Sequence, residues 1–274
     1  MSSDRKVLAC CLAILLLAPA AIGQDRQELE HHLQSDYVGK YWLMRGFYGG
    51  ADLHFDSAGK LLKGKPLEAW TLAGVKIAKL KFHSGSLEIS GDRVAYVYDS
   101  MKGQFSHQTF AKVKIKLDVA NPSNEAAIRQ VLEGIFLSGS AIPESEVPEY
   151  WHDFLAHGEQ PFTKPEPGSV VDELPAGEKV YVAGKEVKAP HPIYTPDPQY
   201  SQAAQQAHFQ GTLELRMVID KTGHTTKIRI VRPIGFGLDD KAVDAVKMWR
   251  FEPATRNGEP VEVQMNVTTA FRLY

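Results

Sequence analysis

The sequence predicts an α+β protein with a β-rich N-terminal domain and a small C-terminal domain of order helix, strand, strand, helix, strand, an αββαβ unit with an antiparallel sheet. Two observations lead to this class. Runs of alternating apolar and polar residues recur between residues 41 and 119, separated by glycine-containing turns. Apolar residues at helical spacing in residues 235–254 are followed at once by an aromatic strand start, which is typical of a short amphipathic helix docked on a sheet.

The length, composition and net charge of the chain are those of an ordinary globular protein. The chain has 274 residues, enough for two domains, with 43% hydrophobic and 23% charged residues. A formal net charge of -2 provides no broad basic surface for phosphate backbones. We therefore predict no nucleic-acid partner.

Residues 1–23 have the pattern of an export signal. Arg5 and Lys6 precede an apolar run, and Ala21 and Gly23 form a small-x-small cleavage site. We expect cleavage after Gly23 and a periplasmic protein; the alternative is that the run is retained as an inner-membrane anchor. Both cysteines lie inside this run, so the mature chain would have no disulfide.

Residues 24–160 are predicted to form the β-rich domain. A polar helix over residues 24–37 precedes strands at 41–45, 51–56, 75–82, 86–89, 94–98 and 113–119. Turns are expected at residues 57–59, 84–85 and 91–92, and helices at 124–137 and 148–157. We recognise no family for this domain, and its residues do not indicate a function.

Residues 161–188 are predicted to be a proline-rich linker. Eight of the sixteen prolines of the chain lie between residues 161 and 198, interleaved with Glu, Lys and Gly. This composition favours a stiff, partly extended segment. Residues 179–182 and 185–188 could pair within it as a small hairpin.

The C-terminal domain, residues 189–274, has the clearest pattern. A short helix at 199–208 precedes a hairpin whose strands alternate at 213–219 and 226–230. Asp239 is predicted to cap the helix that follows, and Asp240 adds negative charge at its positive end. After the turn at Asn257-Gly258, the longest alternating run of the chain covers residues 261–273.

Several of these residues resemble the C-terminal domain of TonB energy transducers. The likeness rests on Gly235-Phe236-Gly237-Leu238-Asp239, on Trp249-Arg250-Phe251-Glu252-Pro253-Ala254 and on Asn257-Gly258, and it covers residues 189–274. The resemblance implies a non-enzymatic domain that lends a sheet edge to an extended segment of an outer-membrane receptor, in energy-coupled transport. It also implies that the last strand is that edge.

The predicted partner-binding residues lie on this last strand, where unpaired backbone groups can accept another strand. They are Val261, Val263, Gln264, Met265, Asn266, Val267 and Thr268. The alternative for this strand is pairing with its own copy in a homodimer. Lys227, Arg229 and Arg232 form a basic stripe, which is either a solvated strand face or a contact for an acidic partner.

A second functional hypothesis is an exported scaffold or small-ligand or lipid carrier, whose C-terminal domain only tethers or oligomerises it. It requires an apolar pocket lined by Trp42, Leu53, Phe55, Trp70 and Phe82. No catalytic residue, metal site or cofactor is predicted. His152 and His157 are five residues apart and diverge on a helix, and no nucleophile motif is present.

Overall fold

The structure is a computed structural model that describes residues 18–66, 69–121, 124–137, 142, 144–159, 165–173 and 179–273. Residues 1–17 of the predicted export signal lie outside this part, and so do residues 161–164 and 174–178 of the predicted linker. Within the described residues, no helix is both long enough and apolar enough to span a bilayer. The predicted mixture of helix and sheet is confirmed.

The N-terminal part is built on a seven-stranded sheet. Its strands lie in the order β3-β2-β6-β5-β4-β1-β7, and the β2–β6 pair is parallel. The elements are α1 (Ala18–Tyr37), β1 (Tyr41–Met44), β2 (Tyr48–Phe55), β3 (Leu61–Pro66), β4 (Gly74–His83), β5 (Ser86–Asp99), β6 (Gln104–Asp118), α2 (Glu125–Ile135), β7 (Phe136–Leu137) and α3 (His152–His157).

Alternation along the strands gives this sheet one buried face. Val113, Ile115 and Leu117 of β6 point into a core to which α1 contributes Leu33 and α2 contributes Leu132. The lysines between them are exposed. The predicted half-buried strand is therefore present, because every second side chain removes apolar surface from water.

One predicted turn of this domain is wrong. Gly91 and Asp92 lie inside β5, where Gly91 pairs with Ile77 of β4. A Cβ atom at Gly91 would lie 2.1 Å from the carbonyl oxygen of Lys76. The glycine is required because two strands approach closely, a use of glycine that a sequence cannot distinguish from a turn.

The C-terminal part has a five-stranded sheet of order β13-β12-β17-β9-β8. Its central pair, β12 and β17, is antiparallel from Gly211↔Phe271 to Ile219↔Val263. The elements are β8 (Val170–Glu173), β9 (Lys179–Val182), β10 (Val187–Lys188), β11 (His191–Tyr194), α4 (Gln202–Gln206), β12 (Gly211–Ile219), β13 (Thr225–Arg232), α5 (Leu238–Lys247), β14 (Arg250–Glu252), β15 (Thr255–Arg256), β16 (Glu259–Pro260) and β17 (Glu262–Phe271).

The small hairpin predicted within the linker is wrong. Strand β9 pairs with β17 and β8, whereas β10 pairs with β15, so the two linker strands do not pair with each other. Val180 and Val187 are both buried against the C-terminal part. Their burial draws the two segments onto different strands, and much of the linker belongs structurally to the C-terminal domain.

The two parts share one hydrophobic core. Trp70, Trp151 and Phe154 of the N-terminal part belong to the same buried cluster as Met217 and Phe236. The connection is also made through the backbone. The Tyr98 N–H donates to Ile234 O (3.1 Å), and the Phe236 N–H donates to Tyr96 O (3.0 Å). The loop over residues 234–238, here called the docking loop, therefore joins β5 to the C-terminal domain.

Asp239 does not have the predicted role of N-cap. Helix α5 begins at Leu238, and its N-cap residue is Gly237, which has no side chain to cap with. The Asp239 carboxylate reaches back instead and accepts the N–H groups of Ile234 and Gly235, both at 2.7 Å. It therefore holds the docking loop in shape.

Candidate partner-binding groove

Strand β17 lies inside the sheet, and only part of it has an open edge. Residues 262–264 pair with β9, in the register Glu262↔Val180 to Gln264↔Val182. Beyond them, no strand of the described residues pairs with β17 on the side away from β12. The open edge is therefore restricted to residues 265–271, a shorter stretch than the sequence predicted.

The neighbouring strands show which backbone groups face this open edge. The Asp220 N–H at the end of β12 donates to His224 O, on the β13 side. Successive residues of a strand point their N–H and C=O groups to opposite sides, so the odd-numbered residues of β12 face β17. The register Met217↔Met265 then places odd-numbered residues of β17 toward β12. Even-numbered residues face outward.

Pairing with β9 gives the same assignment independently. Val182 bonds through its N–H to Ser169 O and through its C=O to the Gly168 N–H, so it faces β8. The backbone groups of Tyr181 must then face β17. Because a residue in a parallel pair bonds to the two neighbours of its partner, Tyr181 bonds to Glu262 and Gln264, which are even-numbered. Asn266, Thr268 and Ala270 consequently present their N–H and C=O groups at the open edge.

A groove of about 440 Å³ runs beside this edge. Met265, Val267 and Thr268 line it on β17, and Trp249 lines it from the end of α5. Phe251, Thr269 and Ala270 line it as well, and the remaining lining residues come from the segment before α4: Pro190, Pro192, Thr195, Asp197 and Pro198. A groove with a strand edge on one side and apolar rings beside it has the features of a site for an extended peptide.

Trp249 is fixed in this groove by a specific hydrogen bond. Its indole N–H donates to Pro196 O at 3.0 Å, and its ring lies 6.3 Å from that of Phe251. Phe236 is fully buried, whereas Trp249 is only partly buried and lines the groove.

The proline-rich side of the groove was not predicted. Residues 189–198 were assigned to the approach to the C-terminal domain, yet β11 within them pairs with β14. Ile193 and Tyr194 remain 66% and 56% exposed beside the groove. Proline has no N–H to donate to a sheet and therefore occupies edge positions. The repeated prolines were thus the signal in the sequence that this segment lies along a sheet edge.

Three of the predicted partner-binding residues already contact other parts of this protein. The Val261 N–H donates to Ala254 O at 2.9 Å, and Val263 is fully buried in a small cluster with Val187 and Ala254. Gln264 is covered by β9. The physical reason is that the linker strand and the β15–β16 hairpin already fill this end of the sheet edge. Met265, Asn266, Val267 and Thr268 remain on the part of β17 that β9 does not cover, and all of them except Asn266 line the groove.

The predicted basic stripe contacts acidic residues, but they belong to the same chain. Arg229 pairs with Glu149 (2.7 Å) and Asp153 (3.3 Å). Arg232 pairs with Glu159 (2.5 Å) and Glu214 (2.9 Å), which raises its pKa. Lys227 also interacts within the protein. Arg229 and Arg232 thus bind the segment around α3 onto β13.

The apolar pocket proposed for a carrier is absent from the described residues. Leu53, Phe55 and Phe82 are buried in the core of the seven-stranded sheet, and Trp70 is buried in the separate core shared by the two parts. Trp42 stacks on Tyr37 with ring centroids 4.6 Å apart. These five side chains do not line a common cavity, so the prediction of this pocket was wrong.

Among the described residues, no group of three or more His, Cys, Asp or Glu side chains is placed to hold a metal ion. His152 and His157 each bond to a backbone carbonyl oxygen, Val147 O and Asp153 O respectively. The geometry of the C-terminal domain therefore centres on the groove and the open edge of β17.

The amide exchange of β17 is expected to alternate. In the free protein, the N–H groups of Asn266, Thr268 and Ala270 should exchange with solvent fast, because they face the open edge. Those of Val267 and Thr269 should be protected by β12, and that of Gln264 by β9. Residue-resolved hydrogen exchange by NMR measures this directly. Uniform protection across residues 264–270 would contradict the open edge.

Comparison with known proteins agrees with this assignment of the C-terminal domain. Residues 196–273 match the family model described as Gram-negative bacterial TonB protein C-terminal. The chain is 32% identical over 82 residues to Protein tonB2 of Pseudomonas aeruginosa, covering 30% of each protein. It is 29% identical over 77 residues to Protein TonB of Vibrio cholerae serotype O1, covering 28% of this chain and 32% of that protein.

A solved structure was also matched. The solution NMR structure of the Pseudomonas aeruginosa TonB C-terminal domain is 23% identical, covers 32% of this chain and 87% of its own, and has a TM-score of 0.27. The chain spans about a third of the length of the curated relatives that it matches. Its C-terminal domain belongs to the TonB C-terminal domain family.

Proposed function

We propose that this protein binds an extended segment of an outer-membrane receptor, or of another envelope protein, by adding it as a strand to the open edge of β17. The observation that supports this most is the outward direction of the backbone groups of Asn266, Thr268 and Ala270 beside the groove. The role it would serve is energy-coupled transport across the envelope, by analogy with the TonB relatives.

The energetics suit a reversible partner. Each main-chain hydrogen bond contributes about 0.5–1.5 kcal/mol net. Ordering the peptide offsets part of this gain, so micromolar affinity is expected. Apolar side chains of the peptide that enter the groove beside Trp249 and Val267 would add to the affinity and give it specificity.

We place the protein in the periplasm, exported by residues 1–23. An inner-membrane anchor made by the same residues is the alternative, and it would allow force transmission through the chain. The N-terminal residue and the fractionation of the protein from a Gram-negative host distinguish the two. An N-terminus at Gln24 in the soluble periplasmic fraction supports export, and an intact N-terminus in the inner-membrane fraction supports the anchor.

The binding proposal is tested by a proline at Thr268. Thr268→Pro removes an N–H that faces the peptide and leaves the β12 ladder intact, because the Thr268 N–H is not part of it. We expect roughly tenfold weaker binding, corresponding to the loss of one or two main-chain hydrogen bonds. Isothermal titration with synthetic peptides from periplasm-facing segments of outer-membrane receptors measures the change.

Two matched variants make the result interpretable. Thr268→Ala keeps the N–H and should bind nearly as well as the natural protein. Thr269→Pro removes an N–H that faces β12, and it should lower the melting temperature, whereas Thr268→Pro should not. Strand addition at this edge is refuted if a folded Thr268→Pro protein binds peptide unchanged. Light scattering would reveal a homodimer formed through the same edge, which Thr268→Pro would dissociate.

A further inference from the structure

The seven-stranded sheet has a gap between β2 and β6. Their parallel pairing runs from Asp52↔Lys114 to Phe55↔Leu117 and stops there. Before Asp52, β2 pairs only with β3, through Tyr48↔Pro66 and Gly49↔Lys65. The two strands therefore diverge at residues 49–51. A cleft of about 560 Å³ lies over this gap, and α4 of the C-terminal domain closes it from the other side.

The cleft is lined by a buried arginine. Arg93 of β5 is 3% exposed and reaches into the gap from within the sheet. Its Nε and Nη2 donate to the same oxygen, Gly50 O, at 3.3 Å and 3.0 Å, and its Nη1 contacts the Met44 sulfur at 3.4 Å. A guanidinium has five N–H groups. Two of them are left without an acceptor among the described residues.

No carboxylate compensates this charge. Among the described residues, no Asp or Glu oxygen lies within 4.0 Å of the Arg93 nitrogens. By contrast, the arginines that do pair with carboxylates are all more exposed than Arg93: Arg45, Arg129, Arg229, Arg232 and Arg256. Arginine is rarely fully buried without a partner, because desolvating a charge costs several kcal/mol. Burial accordingly lowers the pKa of Arg93 to about 10.

The rest of the cleft indicates what kind of anion fits. Apolar side chains from both parts of the protein line it, among them Leu72, Phe110 and Ala203. Lys65 and Lys112 also line it, and Lys112 already pairs with Asp92. Lys65 is exposed, so the buried charge of the cleft is the guanidinium, and the walls beside it are partly apolar. This arrangement suits a monoanion with a hydrocarbon body better than a multiply charged, fully polar one.

We infer that this cleft binds an amphipathic monocarboxylate, with the carboxylate on the free N–H groups of Arg93 and the hydrocarbon body between the sheet and α4. The ligand would contact both parts of the protein at once. The site is separate from the groove beside β17, so the inference does not depend on peptide binding. It also differs from the apolar interior pocket excluded above, because the cleft opens to solvent and is anchored by a charge.

The test uses the full chain and decanoate, below its micellar concentration, as the probe. Isothermal titration should show decanoate binding at least tenfold more tightly than the uncharged analogue 1-decanol. Carbon-13 NMR of carboxyl-labelled decanoate should show that the bound carboxyl titrates at a pH at least about one unit below that of the free acid, because an adjacent guanidinium stabilises the anion. Equal affinities for the two probes, with an unshifted titration, would overturn the inference.

Two variants locate the site. Arg93→Met keeps the length of the side chain without its charge, and it should abolish the preference for decanoate over decanol. Ala203→Trp fills the cleft from α4 and leaves Arg93 in place, so it tests the site even if Arg93→Met does not fold. We expect Ala203→Trp to reduce binding of both probes at least tenfold. Unchanged decanoate binding to a folded Ala203→Trp protein would show that the probe binds elsewhere.

Discussion

Replacing Gly235 with alanine is expected to lower the free energy of unfolding by about 3 kcal/mol or more. Gly235 has φ +88°, a conformation in which other residues are strained, and it is buried in the docking loop. A Cβ atom there would lie 2.1 Å from the Tyr96 carbonyl oxygen. The loop would have to move away from β5 and lose the bonds that join the two parts. Urea unfolding measures the loss.

Gly258 provides a matched control for this substitution. It also has φ +88°, but an added Cβ meets nothing within 4 Å. Gly258→Ala should therefore show only the conformational strain, about 1 kcal/mol. The difference between the two variants isolates the contact between the docking loop and β5. Equal losses would mean that this contact contributes little to stability.

The C-terminal domain was predictable because its signals are local. Short stretches of sequence contain both the helical spacing that ends at Trp249 and the long alternation of β17. The partner of β17 at its outer edge was not predictable. Strand β9 is only four residues long, arrives from a proline-rich segment and pairs in parallel, so nothing local reveals which edge it covers.

Charge patterns show the same limit. The sequence places Arg229 and Arg232 on one strand, which favours contacts with acidic groups. Their partners Glu149 and Glu159 are 80 and 73 residues away along the chain. Only the tertiary structure decides whether such a stripe meets another protein or the chain's own helix α3.

In the N-terminal domain, strand β6 shows where alternation fails. Its second half, with Val113, Ile115 and Leu117, was predicted, whereas residues 104–111 were not. Most residues of that first half are exposed, and only Phe105 and Phe110 are half-buried against the shared core. These two are five residues apart, and the register shift between Arg93↔Ala111 and Val94↔Thr109 interrupts the period of two. The gap at residues 49–51, and with it the Arg93 cleft, was likewise invisible, since it depends on where the pairing of β2 and β6 ends.

The protein is expected to lose stability as the pH rises from about 4 to about 8, because of two carboxyl groups in α5. Asp239 and Asp240 are 0% and 4% exposed. Burial raises the pKa of Asp239 to about 8, against the effect of the Ile234 and Gly235 N–H groups that it accepts. Burial raises the pKa of Asp240 to about 6, against the effect of the Tyr150 hydroxyl that donates to it at 2.7 Å.

The sign follows from proton release. Below the ordinary pKa of 3.8, both groups are protonated in the folded and unfolded chains, and their full contribution to stability is present. Above it, the unfolded chain releases protons that the folded one retains, so unfolding becomes more favourable. Each group lowers the stability by at most about 1.4 kcal/mol per pH unit until the pH passes its folded pKa. The slope should be steepest between pH 4 and 6, where both groups contribute.

Asp239→Asn separates the two groups. It should flatten the stability profile between pH 6 and 8 and reduce the slope below pH 6 to the part that Asp240 provides. The variant should also be less stable at pH 5 by about 1–3 kcal/mol, because one amide oxygen cannot accept both loop N–H groups as well as the carboxyl does. Asp244→Asn, an exposed position on the same helix, should leave the profile between pH 6 and 8 unchanged and alter the slope below pH 6 only slightly, because the Asp244 charge is the smallest cause of the raised pKa of Asp240. Urea unfolding at several pH values measures all three proteins.

The carboxyl group of Asp239 accepts from Ile234 and Gly235, and Ile234 also makes one of the two backbone hydrogen bonds that connect the docking loop to β5. Ile234 donates its N–H to Asp239, and its C=O accepts the Tyr98 N–H; Gly235 lies against Tyr96. Ionisation of Asp239 inside this contact should therefore loosen the junction of the two parts before it affects either sheet. Hydrogen exchange at the Tyr98 and Phe236 amides should increase between pH 6 and 8 beyond the intrinsic pH dependence, and this excess should vanish in Asp239→Asn. The same excess in the variant would show that another group controls the junction.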